Sequence, residues 1–338
     1  MEMALERVLR VVPGLFMLFS MVFAALLSGC GGGGGGSSGF GGDPVAITKV
    51  NAPHVAAVTV SLGGDVGGAG LQSGGTVTAS SAGPNAHALS AATAALEQVD
   101  HRSSELGLRQ IQNTSIAPAS SSTLGCIYSG TYTIVSTSSA SASITFSNCV
   151  DTPGETINGK ITLSNISVTG DPNFPPWSVS GRLGLSNYSS DAGTGYTLNG
   201  SGNFAMGFDG IVDDLSITGA TFTDSVGGQS NTLSGFSLSM AVNTSDLSYT
   251  QSMNGSLNSG LLVGNVTFQT QTPFAGVSVD SGDPESGVFK VIGANNSSVT
   301  LTAIGAGNVT LKVDADGDGQ VDADGTSSTT WSDLYSLL

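Results

Sequence analysis

The stretch Asp314-Ala315-Asp316-Gly317-Asp318-Gly319-Gln320-Val321-Asp322 is where residue types and spacing in this 338-residue chain converge on chemistry. Carboxylates at alternate positions offer hard oxygen donors to a hard cation, and the glycines let the backbone turn those donors inward. Five carboxylates fall in the eleven residues from Asp314 to Asp324. They repel one another unless a cation lies among them or water screens them, so a cation site and a solvated acidic turn both fit the spacing. Other candidates for chemistry are weak. His54, His87 and His101 are the three histidines, and none has a third ligand close in sequence, so they read as solvated side chains. No G-x-S-x-G elbow stands between a strand and a helix, and the glycine runs lack the lysine of a phosphate-binding loop. The expectation is a chain that is not an enzyme.

The acidic stretch resembles the D-x-D-x-D-G calcium loop of EF-hands and their secreted relatives. That resemblance implies ligands from Asp314, Asp316 and Asp318 at positions one, three and five, the Gln320 backbone carbonyl at position seven and Asp322 at position nine, with Gly319 at the sharp turn. Two departures weaken it. Gly325 occupies position twelve, where a bidentate Glu closes the shell, with Asp324 one residue early. The loop is also entered from a strand-like run, Val309 to Val313, and left by another ending near Trp331, rather than flanked by helices. Weak structural calcium binding is expected, on the order of 10⁻⁴ to 10⁻³ M, with the cation bracing a hairpin.

The N-terminus carries a different kind of signal. Arg7 and Arg10 precede an apolar run from Val11 to Leu27, which closes in Leu27-Ser28-Gly29-Cys30 and a run of glycines. That is the anatomy of a signal peptide, and an uncleaved anchor is the alternative. The tetrapeptide resembles the lipobox of bacterial lipoproteins. The resemblance implies acylation of Cys30 after removal of residues 1–29, and, because Gly31 stands where an aspartate would retain such a protein at the inner membrane, residence in the outer membrane. Residues 30–43 then read as a Gly/Ser-rich tether.

Composition narrows the partners. The formal net charge is -16, yet charged residues make up 10% of the chain and Lys plus Arg number nine, so no basic stripe is present for nucleic acid. With Cys30 assigned to lipid, Cys126 and Cys149 remain, flanking alternating runs from Ile127 to Val135 and from Ala142 to Phe146. A hairpin folded about Thr137 and Ser138 sets them opposite each other, so a disulfide is expected, with two free buried thiols as the alternative. Closing a loop of this length contributes about 3 kcal/mol.

The elements that must hold these residues follow from periodicity. Val45 to Val50 and Val55 to Leu62 read as strands. Leu89, Ala92, Leu96, Val99 and Leu106 recur at helical spacing, which predicts an amphipathic helix over about 86–106, within an N-terminal region 44–120. From residue 121 to 338 apolar residues alternate with Ser, Thr, Asn and Gly, as in Phe236, Leu238, Met240 and Val242. Such strands have one dry and one wet face. Asn158-Gly159, Ser180-Gly181, Asn199-Gly200, Ser234-Gly235 and Asn254-Gly255 read as hairpin turns. The fold class expected is mainly β: an antiparallel meander curled into a half-barrel or sandwich, with one N-terminal amphipathic helix packed on it. A transmembrane barrel is disfavoured by 6% aromatic content, too little for girdles.

The chain as a whole resembles bacterial lipoproteins with a β-rich body, a cysteine-closed hairpin and a terminal D-x-D-G-D-G hairpin ending in Trp. The resemblance implies a lipid-anchored envelope protein, structural or interacting in role. The alternative is a carrier holding a lipid or other apolar ligand between the sheet and Leu89, Leu96 and Val99.

Overall fold

A computed structural model describes residues 42–68, 120–138, 140–152, 155–171, 174–191, 197–226, 229–277 and 283–338. The expected helix over 86–106, with His87 and His101, lies outside the described residues, as do Cys30 and residues 1–29, the expected signal peptide.

Fourteen strands form one sheet in strict chain order, each antiparallel to the next. They are β1 Ser120–Gly125, β2 Ser129–Ser138, β3 Ser141–Thr152, β4 Glu155–Asp171, β5 Phe174–Asp191, β6 Thr197–Phe208 and β7 Val212–Val226. There follow β8 Gln229–Asn243, β9 Ser248–Ser259, β10 Gly264–Val277, β11 Ser286–Ile292, β12 Ser298–Ala303, β13 Asn308–Asp314 and β14 Thr326–Thr330. The chain is thus mainly β and a meander, as the alternation predicts. β1 and β14 do not pair with each other, so the sheet is not closed, and it is a single sheet rather than the two of a sandwich.

The inner face is mainly apolar, with a few buried polar side chains such as Asp224, Asn231 and Gln251. In β8 the buried positions are Asn231 and Leu233, then Phe236, Leu238, Met240 and Val242, a change of parity across Ser234-Gly235. A simple slip of one residue would turn every later side chain to the solvent face. Here two residues of β8 face one of β9, between Ser234 and Ser237, and the bulge resets the parity so that Leu233 and Phe236 share the same face.

The Asn-Gly and Ser-Gly dipeptides therefore correct an expectation: they lie inside strands, not in hairpin turns. Asn158-Gly159 of β4 sits where β3 bulges at Asn148 (φ 46°), and the Asn148 N–H donates to Asn158 Oδ1 at 2.8 Å. The exchange recurs two strands on, where the Asn187 N–H of β5 donates to Asn199 Oδ1 of β6 at 2.8 Å. Gly159 has φ 92°, and a Cβ there would overlap the Asn187 carbonyl. The residue pattern that marks a two-residue hairpin loop also suits a bulge, because both need the left-handed region.

Val55 to Leu62 is a second correction. It belongs to helix α1, Ala52–Gly68, not to a strand. Every residue from Val55 to Ser61 is buried, so no polar stripe betrays the helical period, and an apolar run buried all round cannot be assigned by periodicity alone. The polar side chains are satisfied within the helix: Thr59 Oγ1 donates to the Val55 carbonyl at 2.7 Å and Ser61 Oγ to the Val58 carbonyl at 3.0 Å. α1 packs on β9, on β11 to β13 and on the C-terminal helix α2, Trp331–Tyr335. Val45 to Val50 is likewise not a strand; Pro44 makes a lone parallel bridge to Asn265.

A chain of ring contacts ties this part of the core together. Phe236, Phe268, Phe289, Phe274 and Trp331 follow one another at centroid separations of 6.3, 5.8, 6.1 and 5.9 Å. Trp331 is fully buried, its Nε1 donating to the Pro284 carbonyl at 3.3 Å.

Candidate metal centre

The acidic loop joins β13 to β14, whose ladder runs from Asn308↔Thr330 to Lys312↔Thr326. Asp314 is the last residue of β13 and is buried. Its carboxylate organises the loop: Oδ1 accepts from the Gly317 N–H at 2.8 Å and Oδ2 from the Gly319 N–H at 3.0 Å. The exposed carboxylates repeat the motif locally, Asp316 Oδ1 accepting from the Asp318 N–H at 3.2 Å and Asp318 Oδ1 from the Gln320 N–H at 2.7 Å. Carboxylate oxygens of Asp314, Asp316 and Asp318 lie within 4.8 Å of one another, close enough to share one cation.

Three of the five expected ligands are therefore brought together. Asp322 serves as scaffold, since its Oδ2 accepts from the Ala315 N–H at 3.2 Å and its own N–H donates to the Val313 carbonyl at 2.9 Å. Gln320 is exposed and contributes its N–H to Asp318. At the position where a bidentate Glu would close the shell, Gly325 is buried and exchanges backbone bonds, its N–H donating to the Asp322 carbonyl at 2.8 Å and its carbonyl accepting from the Val313 N–H at 2.9 Å. β14 begins at the next residue, so backbone pairing occupies the place of a twelfth-position carboxylate.

The loop also leans on distant chain. Gly317 packs against the Asn295 carbonyl in the 3₁₀ turn Ala294–Asn296, where a Cβ would overlap it. Lys49 Nζ donates to the Ala323 carbonyl. Neither support was visible in the sequence, where Lys49 and Ala323 are 274 residues apart.

Cys126 and Cys149 form the expected disulfide, with their Cα atoms 5.5 Å apart. Cys126 precedes β2 and Cys149 lies in β3, so the bond closes one end of that hairpin. Asp151 stands beside it, accepting from the Ile127 N–H at 2.9 Å. His54 lies in the first turn of α1, half-buried.

One carboxylate was missed by sequence reasoning. Asp224 of β7 is 1% exposed and shares the core-facing parity of Phe222, a signal present in the sequence. Its Oδ1 accepts from the Asn231 N–H at 3.1 Å, and Ser259 Oγ donates to Asn231 Oδ1 at 2.7 Å. Its Oδ2 has no partner. Burial, opposed by the Asn231 hydrogen bonds, pushes the Asp224 carboxyl up to about 6.

The fold and the loop together define a single-sheet antiparallel meander with a carboxylate-lined terminal hairpin. Comparison with protein-family models, with curated proteins and with solved structures finds no match to this chain.

Proposed function

We propose that this chain is a lipid-anchored module of a bacterial outer membrane that acts through structure or interaction rather than catalysis, and that calcium braces its β13–β14 loop. The grouping of Asp314, Asp316 and Asp318 oxygens within 4.8 Å carries the calcium part, because it gathers hard donors on a loop already preset by amide hydrogen bonds. The Cys126–Cys149 disulfide supports an oxidising compartment. The carrier alternative places an apolar ligand between the sheet and Leu89, Leu96 and Val99, which lie outside the described residues; where α1 packs on β9 and on β11 to β13 the interior is filled.

Isothermal titration of the protein with calcium tests the brace. Binding on the order of 10⁻⁴ to 10⁻³ M is expected, and it disappears in Asp316→Asn/Asp318→Asn. No heat and no change in melting temperature at millimolar calcium would overturn it. Cys30→Ala tests the address: the variant is expected in the soluble fraction, and its recovery with membranes would remove the anchor.

A further inference from the structure

The sheet ends at β1, and that edge differs in charge from the rest of the molecule. No charged residue occurs from Ser120 to Val150, although the chain as a whole has a formal net charge of -16. Ser121 to Gly125 are all exposed, so β1 is held by its neighbours rather than by burial. Its ladder to β2 runs from Ser120↔Ser136 to Gly125↔Thr131 without a register shift, and Thr123 Oγ1 lies 2.9 Å from Thr133 Oγ1. The disulfide at Cys126, the residue after β1, ties the end of the strand to β3.

The Cys126 N–H donates to the Gly130 carbonyl at 3.2 Å, which continues the β1–β2 ladder and fixes which residues face β2. In an antiparallel pair alternate residues exchange both backbone bonds. Ser122 and Leu124 therefore face β2, and Ser121, Thr123 and Gly125 direct their N–H and carbonyl groups outward, where no described residue pairs with them. Sheet edges are ordinarily blunted by charge, proline or a bulge. β1 has none of these. β14, the other edge, stands between the five carboxylates of 314–324 and Asp333, whose Oδ2 accepts from Thr330 Oγ1 at 2.8 Å. Like charge there turns away another acidic chain, whereas at β1 an acidic chain meets no like charge.

We propose that two copies of this chain pair through β1, antiparallel and about a two-fold axis at Thr123, so that the sheet continues from one copy into the other. An uncharged edge gives no hold to a charged peptide and suits a strand as neutral as itself, and β1 is such a strand. Its outward residues are symmetric about Thr123. Thr123 exchanges both backbone bonds with Thr123 of the second copy, and Ser121 does so with Gly125 of the second copy. Opposite residues then share a face, which adds a second threonine to the Thr123–Thr133 contact and sets Leu124 beside Ser122 of the second copy on the core side. The pair is closed and isologous. A pairing this short buries little surface, so the dimer is a reversible one. It depends on neither lipid at Cys30 nor calcium at the acidic loop.

Sedimentation equilibrium of the full chain in a density-matched detergent tests this with Thr123→Lys, Thr123→Asp and Thr133→Lys. The mean mass of the wild type is expected to rise with concentration towards twice that of one chain. Thr123→Lys and Thr123→Asp each set like charges opposite each other, and each is expected to stay at the mass of one chain where the wild type is half paired. Mixed in equal amounts, the two are expected to pair again, because opposite charges then meet across the axis. Thr133→Lys puts a charge on the same face one strand further in and is expected to pair as the wild type does. A wild type that keeps the mass of one chain at every concentration overturns the proposal. Pairing that survives in Thr123→Lys overturns it as well, as does a mixture that fails to pair. Should Thr123→Lys lose its β-sheet circular dichroism, Thr123→Arg replaces it alone and in the mixture.

Discussion

The β13–β14 loop gathers five carboxylates and the β7–β8–β9 ladder buries one, and the crowded site is the better satisfied. Each oxygen of Asp314 receives a loop N–H, and Asp316, Asp318 and Asp322 each receive another. Asp224 has bonds on one oxygen and none on the other, out of water. Donors and solvent, rather than the number of like charges, decide what a carboxylate costs. Asp209 makes the same point on the surface: its Oδ1 accepts from the Val212 and Ile211 N–H groups at 2.7 and 2.8 Å, which together hold its carboxyl below the usual range.

The contrast can be broken in a graded series. Asp314→Ala should have the largest effect, because it strips the acceptor from the Gly317 and Gly319 amides at a buried strand end; charge-assisted bonds of this kind are worth about 2 kcal/mol each, so a loss of about 4 kcal/mol is expected in urea unfolding. Asp224→Asn should act in the opposite direction. The folded-state value near 6 lies above the ordinary 3.8, so the folded protein holds this proton more tightly than the unfolded chain does. That stabilisation is complete below about pH 4 and is lost as pH rises through 6, leaving an ionised buried group that costs about 3 kcal/mol at pH 7 and above. The Asn variant should therefore match the wild type at pH 3.5, gain stability relative to it between pH 4 and 6, and keep the gain beyond. A gain that does not depend on pH would show that Asp224 is not the titrating group.

Calcium gives the next smaller effect. At ten times the dissociation constant it should raise wild-type stability by about 1.4 kcal/mol and Asp316→Asn/Asp318→Asn by nothing, read as the midpoint shift of urea curves. In chelator the same double substitution should change stability by less than about 0.5 kcal/mol, as exposed sites do. If the double variant were much less stable without calcium, Asp316 and Asp318 would belong to the loop's scaffold, as Asp314 does.

The sheet was readable because its wet face is so consistently Ser, Thr and Asn. Leu238, Met240 and Val242 need only alternation to be placed. What alternation cannot encode is a residue with no wet side, which is why Val55 to Leu62, buried from Val55 to Ser61, reads as a strand and folds as a helix. Nor does it tell a bulge from a turn, since Asn199-Gly200 satisfies the backbone demands of either. The metal loop was legible in Asp314, Asp316 and Asp318, where ligand spacing is local. It was not legible in Lys49 or Asn295, whose contacts with the loop depend on tertiary packing.

The buried bond from the Ile47 N–H to Ser297 Oγ, 2.9 Å long, joins residues 250 positions apart. Synthesis runs from the N-terminus, so α1, which begins five residues after Ile47, is made before β11, β12 and β13, against which it packs. Until then its apolar surface is bare, and a chain truncated before β11 never covers it. The N-terminal helix thereby becomes a test of completeness: it is fully covered only in a chain that has reached β13 and the C-terminal helix.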